Sequence, residues 1–560
     1  MHITRLCTKS RLLLQCANRA TSDVNIKKSF LHNHRLGYGS RLKFKLTYLG
    51  FGLLGSTIAY DGIINEFTYC GATFRFIRSL KTASLIAVDY ILLERHENDK
   101  DYDNQLSAVH QRSANRLLET CLKNGGLYIK VGQGFAAINH ILPKEYTSTL
   151  AKLQDECLPT SRNDVQKLFH EEFGQLPEKI FAEFDYKPVA AASLAQVFRG
   201  KLLNGDEVAI KVQYSDLRKR FTSDLGTIMF LQDIIELFFK NYNFGWILRD
   251  VRKNLIQELN FVNEGKNSEK CAKDFENFKY VYIPKVYWKY TTTRVLTLEW
   301  MNGFKISDME QIRRNKMDLR DIDMKLFKMF AEQIFKTGFV HADPHPGNIF
   351  IRKNPNNGKA ELILLDHGLY EILPEEVRLP LCEFWEATVL RNDKKMEECA
   401  KKMNIKDYMK FAEVLFQQPI SMNNGHIKTK LTQADIEYIQ EIAKKNFDLI
   451  MNTLKEMPRN MIFVVRNLNT VRAIGRHHGD VVDRPSVMAK HAQKCVNKNF
   501  NSFTGRLQWF YRRCIFEYCL WRNAFKIRCL NLYFLILYKL GRAPKEATTL
   551  LQTFPFEEQS

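Results

Sequence analysis

The chain has 560 residues, 45% of them hydrophobic, and a net charge of +21; that is room for two or three domains, or one large two-lobed body with extensions, at ordinary core content. The charge sits at the ends: residues 1–60 hold ten Lys/Arg against one acid, Asp23, and residues 484–545 hold thirteen against one, Glu517. This argues against a nucleic-acid-binding core, which would carry its basic residues on the fold itself, and suits a targeting segment at one end and anionic lipid at the other.

In chain order, MHITRLCTKSRLLLQCANRA interleaves Arg5, Lys9, Arg11 and Arg19 with leucines, hydroxyls and small residues, and no acid precedes Asp23. That is the composition of a mitochondrial presequence, expected over 1–40; no long apolar run of a secretory signal follows. Leu46 to Tyr60 is fifteen residues without a charge, and extension to Ile64 takes in Asp61. A spanning helix needs about 20 apolar residues, so a span and a buried or interfacial helix both stay open. Residues 66–118 read as helical, with Ile77, Leu80, Leu85, Val88 and Leu92 in an apolar series. Gly125-Gly126 breaks the pattern, and a second helical stretch carries Lys130, Gly132 and Gln133 and ends by Pro159.

Short strands are expected from Phe181. Pro188 to Val197 leads into Phe198–Leu202, Asn204-Gly205 signals a hairpin, and Glu207–Val212 alternates. A long helical region follows over 215–275, then a buried strand from Val295 to Met301, then a helix over 323–338 with Gly338 as its cap. Beyond Asp366 the chain reads as mostly helical. In the tail, Leu507, Tyr511, Cys514, Tyr518, Trp521 and Phe525 share a helix face among interspersed arginines. A membrane-surface helix and a helix packed on the body both fit that pattern. Twelve cysteines form no Cys-x-x-Cys pair, so zinc ribbons and thioredoxin-type chemistry are not indicated.

The chemistry lies in a few short motifs. Phosphoryl transfer needs a lysine on the nucleotide phosphates, a carboxylate on that lysine, and oxygen ligands for magnesium. Lys211, in Val208-Ala209-Ile210-Lys211, is the candidate phosphate lysine. Asp343 and Asn348, in His341-Ala342-Asp343-Pro344-His345-Pro346-Gly347-Asn348, are five apart, as a catalytic base and a magnesium ligand should be. Asp366 ends the apolar run Leu362–Leu365 and stands before His367-Gly368, the place of a second magnesium ligand. His341 and His345 lack a third partner and read as structural rather than as zinc ligands. Val197 and the strand end at Glu299 and Met301 are counted as nucleotide contacts, the latter two through their backbone.

Together with the tetrad Lys130-Val131-Gly132-Gln133 and the alanine-rich Ala190-Ala191-Ala192-Ser193, these motifs resemble the UbiB family, the aarF-domain-containing atypical kinases, over roughly residues 100–480. The resemblance implies an α+β, protein-kinase-like two-lobed fold with a helical N-terminal extension and a helical C-terminal tail. The boundaries expected are 1–40 for targeting, 41–100 for a membrane or linker helix, 101–180 for the extension, 181–301 for the small lobe, 302–480 for the large lobe and 481–560 for the basic tail. It implies catalytic roles for Lys130 and Gln133, Glu264 as the partner of Lys211, and Glu258 as the partner of Lys130. Asn260 stands where the family has Asp, so a charged latch becomes a neutral hydrogen bond. Ala190 to Ser193 replace a glycine-rich phosphate loop, where alanine restricts the backbone.

Two absences point away from peptides as substrates. Ala342 replaces the arginine that reads a phosphorylated activation loop, and the chain after Gly368 enters a helix almost at once. The resemblance implies ATP or ADP with Mg2+ as cofactors. Its implied partners are mitochondrial membrane lipids, a cardiolipin-rich surface among them, a lipid or small-molecule substrate and membrane proteins, with no nucleic acid. Two functions stay open: a kinase or ATPase at a mitochondrial membrane acting in lipid or quinone homeostasis, and a nucleotide-binding pseudokinase scaffold for inner-membrane and cristae maintenance. A small-molecule phosphotransferase of the aminoglycoside or choline kinase type shares the catalytic loop but not the tetrad or the alanine loop.

Overall fold

The computed structural model describes residues 68–95, 101–137, 142–154, 161–191, 194–238, 256–354, 357–417, 453, 456–496 and 503–539. The expected targeting segment, the apolar run from Leu46, and Ala192 and Ser193 lie outside the described residues. The chain divides into two units, Met1–Arg75 and Phe76–Ser560. Of the first, only the start of helix α1 (Thr68–Glu94) is described. Among the described residues no helix is long and apolar enough to cross a membrane.

In the second unit the apolar series expected over 66–118 falls on two helices, the remainder of α1 and α2 (Tyr102–Asn124). Gly125 and Gly126, both at positive φ, turn the chain into α3 (Gly126–Ala137). Cys121, Tyr128, Ile129, Leu150 and Leu153 bury together beneath these helices. Gly132 is forced here by close approach: a β-carbon on it would stand 2.3 Å from the Leu153 side chain. Leu127 packs α3 onto Phe221 and Leu225 of α4 (Leu217–Phe238).

The small-lobe sheet runs β1 (Glu183–Phe184), β3 (Ala195–Lys201), β4 (Glu207–Gln213), β6 (Val295–Glu299), with β2 (Ala190–Ala191) paired to β3. Asn204-Gly205 makes the β3–β4 turn, with Gly205 at φ +93°. The antiparallel register sets Val197 opposite Lys211 and Lys211 opposite Leu296. Phe169, Phe181, Phe198, Ile210 and Val295 form one core of this lobe. Across it runs α5 (Phe261–Asp274), anchored by Phe261 against Ala195 and Leu296.

The large lobe begins with a four-stranded sheet ordered β5 (Val281–Tyr282), β10 (Ala360–Leu364), β9 (Ile349–Lys353), β7 (Phe304–Lys305). The helix expected over 323–338 starts earlier, as α6 (Leu319–Ala331), because Asp318 caps it through the Arg320 N–H. Its end widens over Glu332–Thr337 and stops at Gly338, φ +66°. Only glycine suits that position, since a β-carbon would lie 2.6 Å from the Leu373 carbonyl. A small second sheet was not anticipated: β8 (Phe339–His341) pairs with β11 (Tyr370–Ile372). Helix α7 (Glu375–Leu390) follows directly. With α8 (Arg459–His477) and α9 (Arg484–Val496), it closes a core that includes Phe330, Phe335 and Trp385.

The tail forms α10 (Phe503–Lys539). Phe516 is buried in the large-lobe core, Arg512 pairs with Glu386, and Lys490 reaches Glu517 at 2.8 Å. The face carrying Leu507, Tyr511, Tyr518, Trp521 and Phe525 is exposed. Of the two readings open for the tail, packing on the body holds for one side of the helix, and the aromatic stripe lies on another.

Candidate active site

Four ion pairs converge at the lobe junction. Lys211, on β4, places Nζ 2.7 Å from Glu264 Oε1 and 3.3 Å from Asp366 Oδ2. It comes from a strand whose alternation buries Val208, Ile210 and Val212 and turns Lys211 to the opposite face. Glu264 lies in the first turn of α5, and that helix is capped by Asn260, whose side chain accepts the Val262 N–H at 3.1 Å. The residue that departs from the family pattern thus serves as a helix cap for the element carrying Glu264.

Lys130, on α3, meets Glu258 at 2.9 Å. Asp366, Glu264 and Glu258 all come within 4 Å of where a β-carbon on Gly368 would stand, so both pairs border one site. Asp343 pairs with Arg466 of α8 at 2.9 Å, a residue that no sequence motif marked.

The loop from His341 to Asn348 is held by a set of backbone contacts. His341 Nδ1 accepts the Asp343 N–H at 3.0 Å, so Nε2 carries the proton and donates to the Asp366 carbonyl at 2.7 Å. Burial lowers its pKa, against the pull of Asp366, and keeps the ring neutral, as this double role requires. His345 Nδ1 accepts the Gly347 N–H, and the Asn348 amide donates to the Asp343 carbonyl. Asn467 donates to the His341 carbonyl, and Gln333 accepts the His341 N–H. His367 is buried between Tyr370, whose hydroxyl lies 2.9 Å from Nδ1, and the Leu364 carbonyl, 3.1 Å from Nε2. Burial, then the neighbouring His341, pushes its pKa down to about 3. Asn267, three residues beyond Glu264, donates to the His367 carbonyl and joins α5 to this loop.

Burial works against the Lys211 ammonium, but Asp366 and Glu264 outweigh it and raise its pKa. Burial also raises the Glu264 carboxyl, to about 7, with Lys211 pulling the other way. For Asp366 burial is overcome by Lys211 and the Gly368 N–H, which hold the carboxyl well below its usual range. For Asp343 burial is overcome by Arg466 and Lys130, so its pKa is lowered as well. Lys130 loses to burial and gains from Glu258, Asp343 and Asp366, for a net rise. Both aspartates are therefore anions at neutral pH, Asp366 poised to take a cation and Asp343 a weak base suited to orienting a hydroxyl.

The other candidate residues stand as follows. The Gln133 amide donates to the Leu153 carbonyl at 2.8 Å and fastens α3 to the following turn. The Glu299 N–H donates to the Lys285 carbonyl at 2.9 Å, and its carboxylate accepts from Tyr282. Met301 is buried just past the strand end. Ala190 and Ala191 pair with Val197 and Gln196, so this half of the alanine-rich segment is strand.

The donor set fits a magnesium nucleotide. Asp366 and Asn348 are hard oxygen donors, and Mg2+ takes one or two protein oxygens while phosphates and water supply the rest. The ring nitrogens of His341 are both occupied, which leaves none for a softer ion.

This fold and this set of side chains define a protein-kinase-like phosphotransferase. Residues 152–400 match the model of the ABC1 atypical kinase-like domain. AarF domain-containing protein kinase 1 of Xenopus laevis is 36% identical over 404 residues, 71% of this chain and 78% of that one. The chain belongs to the ABC1 atypical kinase family, the aarF-domain or UbiB kinases. A Dictyostelium discoideum protein named "Probable serine/threonine-protein kinase abkD" is 36% identical over 77% of this chain, which spans 62% of that relative's length. Among solved structures, the complex of Rv3197 with erythromycin from Mycobacterium tuberculosis aligns at TM-score 0.41 and 18% identity, covering 67% of this chain and 97% of that one.

Proposed function

We propose that the protein binds ATP or ADP with Mg2+ at this site and works as a kinase or ATPase at a mitochondrial membrane, in lipid or quinone homeostasis rather than in general protein phosphorylation. The observation that carries the reading is Lys211 set between Glu264 and Asp366, with Asp343 and Asn348 on the facing loop. Bound magnesium and nucleotide would supply the phosphoryl group and neutralise its charge. Lys211 is placed to hold the phosphates, Glu264 to orient Lys211, and Asp366 with Asn348 to hold the metal. Asp343 would receive the hydrogen bond of the acceptor.

The acceptor side supports a substrate other than a peptide. The chain passes from Gly368 into β11 and then α7, which leaves no docking platform, and Ala342 is buried where a phosphate-reading arginine would stand. The exposed aromatic stripe of α10 and its arginines support contact with anionic lipid, including cardiolipin, and with membrane proteins. The presequence composition of residues 1–40 supports the mitochondrial setting.

The test is magnesium-dependent nucleotide binding and phosphate release on liposomes of mitochondrial composition, for the wild type and Asp366→Asn. Phosphate release is expected to fall at least about 100-fold in the variant, as for loss of a metal ligand. Import that survives deletion of the first 40 residues would remove the presequence. One observation favours the pseudokinase scaffold as a second reading: Asp343 is already paired with Arg466. Nucleotide binding without Asp366-dependent phosphate release, together with cellular rescue by Asp366→Asn, would select it.

A further inference from the structure

Three cations stand in the site, and two have their places there. Lys211 is shared by Glu264 and Asp366, and Lys130 is 2.9 Å from Glu258. The third, Arg466, comes from α8 and touches Asp343 Oδ1 through Nη2 alone. A guanidinium offers five N–H donors in a flat fork. Here Nε is buried with no hydrogen-bond partner among the described residues, while the side chain keeps 26% of its surface exposed. A buried donor without an acceptor is costly, and a guanidinium can bridge a carboxylate and a phosphate together.

We propose that Arg466 reads the terminal phosphate of a nucleoside triphosphate and rests on Asp343 until that phosphate arrives. The inference rests on the magnesium-nucleotide reading above. Lys211 lies on the strand side of Asp366, where the inner phosphates belong. Asp343 lies on the loop that His341 ties to the Asp366 carbonyl, on the acceptor side of the metal carboxylate. Arg466 therefore stands where the third phosphate projects. A phosphoryl group in transfer spreads charge over three oxygens, and an arginine supplied from outside the phosphate loop is a recurrent answer to it. Asp343 would serve as the storage position that keeps the fork aimed while the site holds a diphosphate.

The experiment measures the affinities of the full-length protein for Mg-ADP and for the non-hydrolysable Mg-AMP-PNP by calorimetry. In Arg466→Met the AMP-PNP to ADP affinity ratio is expected to fall about tenfold or more, with ADP binding within about twofold of wild type. Arg466→Lys should recover part of the ratio, since it keeps charge and loses the fork. Asp343→Asn should move the ratio the other way, because the carboxylate no longer competes for the guanidinium. Equal weakening of both nucleotides in Arg466→Met, or no change, overturns the proposal, as does a ratio that responds to Lys130→Met instead. If Arg466→Met does not fold, an unchanged ratio in Asp343→Asn overturns it. A wild type that binds neither nucleotide removes the nucleotide reading itself, a distinct failure.

Discussion

The two sides of the site are built differently. The nucleotide side rests on one strand lysine, one helix carboxylate and one loop carboxylate, brought together by the β3–β4 hairpin and the cap of α5. The acceptor side has Ala342 buried, a three-residue strand β11 laid against β8, and α7 beginning at Glu375. The first side carries the side chains that the proposed magnesium-dependent phosphate handling would use. The second has replaced an open activation segment by packed structure. Nucleotide chemistry and acceptor choice can thus be altered separately, and substitutions can test whether they are.

The largest effect is expected at the nucleotide side. Glu264→Ala leaves Lys211 buried with the more exposed Asp366 alone, and should cost about 3–5 kcal/mol of stability, as for a broken buried pair. Chemical denaturation measures the cost, and magnesium-nucleotide binding should be lost with it. If stability falls while affinity is kept, Glu264 belongs to the fold and not to the nucleotide.

A pH effect comes next. The folded-state pKa of His367 is depressed to about 3 from an ordinary 6.5. Its contribution is therefore complete above pH 6.5 and is lost as pH falls toward 3. Between pH 7.5 and 5 this group alone should cost about 2 kcal/mol. His367→Asn should be less stable at pH 7.5 but show a shallower decline, and parallel curves for the two proteins would refute the assignment. The acceptor side is tested by Gly338→Ala. Positive φ and the Leu373 carbonyl should make it cost about 1–3 kcal/mol, while Mg-ADP affinity in the folded fraction stays unchanged. A parallel loss of affinity would show that the two sides are coupled. The smallest effect on folding is expected at α10: Trp521→Ser should change stability by less than about 0.5 kcal/mol, because the ring is exposed. Binding to anionic liposomes should weaken by a larger margin if the stripe meets lipid.

What could be read from the sequence follows from how local the constraint is. Asp343, Asn348 and Asp366 stand in short motifs whose spacing is set by the chemistry, and Lys211 stands on an alternating strand. Arg466 lies more than a hundred residues beyond Asp343 on a helix whose pattern is that of core packing, so no spacing points to it. Asn467, its neighbour, was hidden for the same reason. The β8–β11 pairing was missed because two strands of three residues carry almost no alternation. Asn267 could have been found, since it stands three residues after Glu264 and so near it on the helix surface. The Gln133 bond to the Leu153 carbonyl was not legible either, because its partner lies twenty residues further along the chain. The split of the tail into an anchored and an exposed side was only half visible: the exposed stripe is periodic, but Phe516 and Arg512 mark their roles only by contact with the large lobe.

The neutral imidazole of His341 has a wider consequence. One ring joins the Asp343 loop to the Asp366 segment, accepting a hydrogen bond from one backbone and donating one to the other. Swinging the Asp366 segment outward would break that joint in a buried place, and would also strip β11 from β8. Displacing either loop alone would therefore break bonds to the other. Helices α3 and α8 meet the site outside that joint, through Lys130 and Arg466.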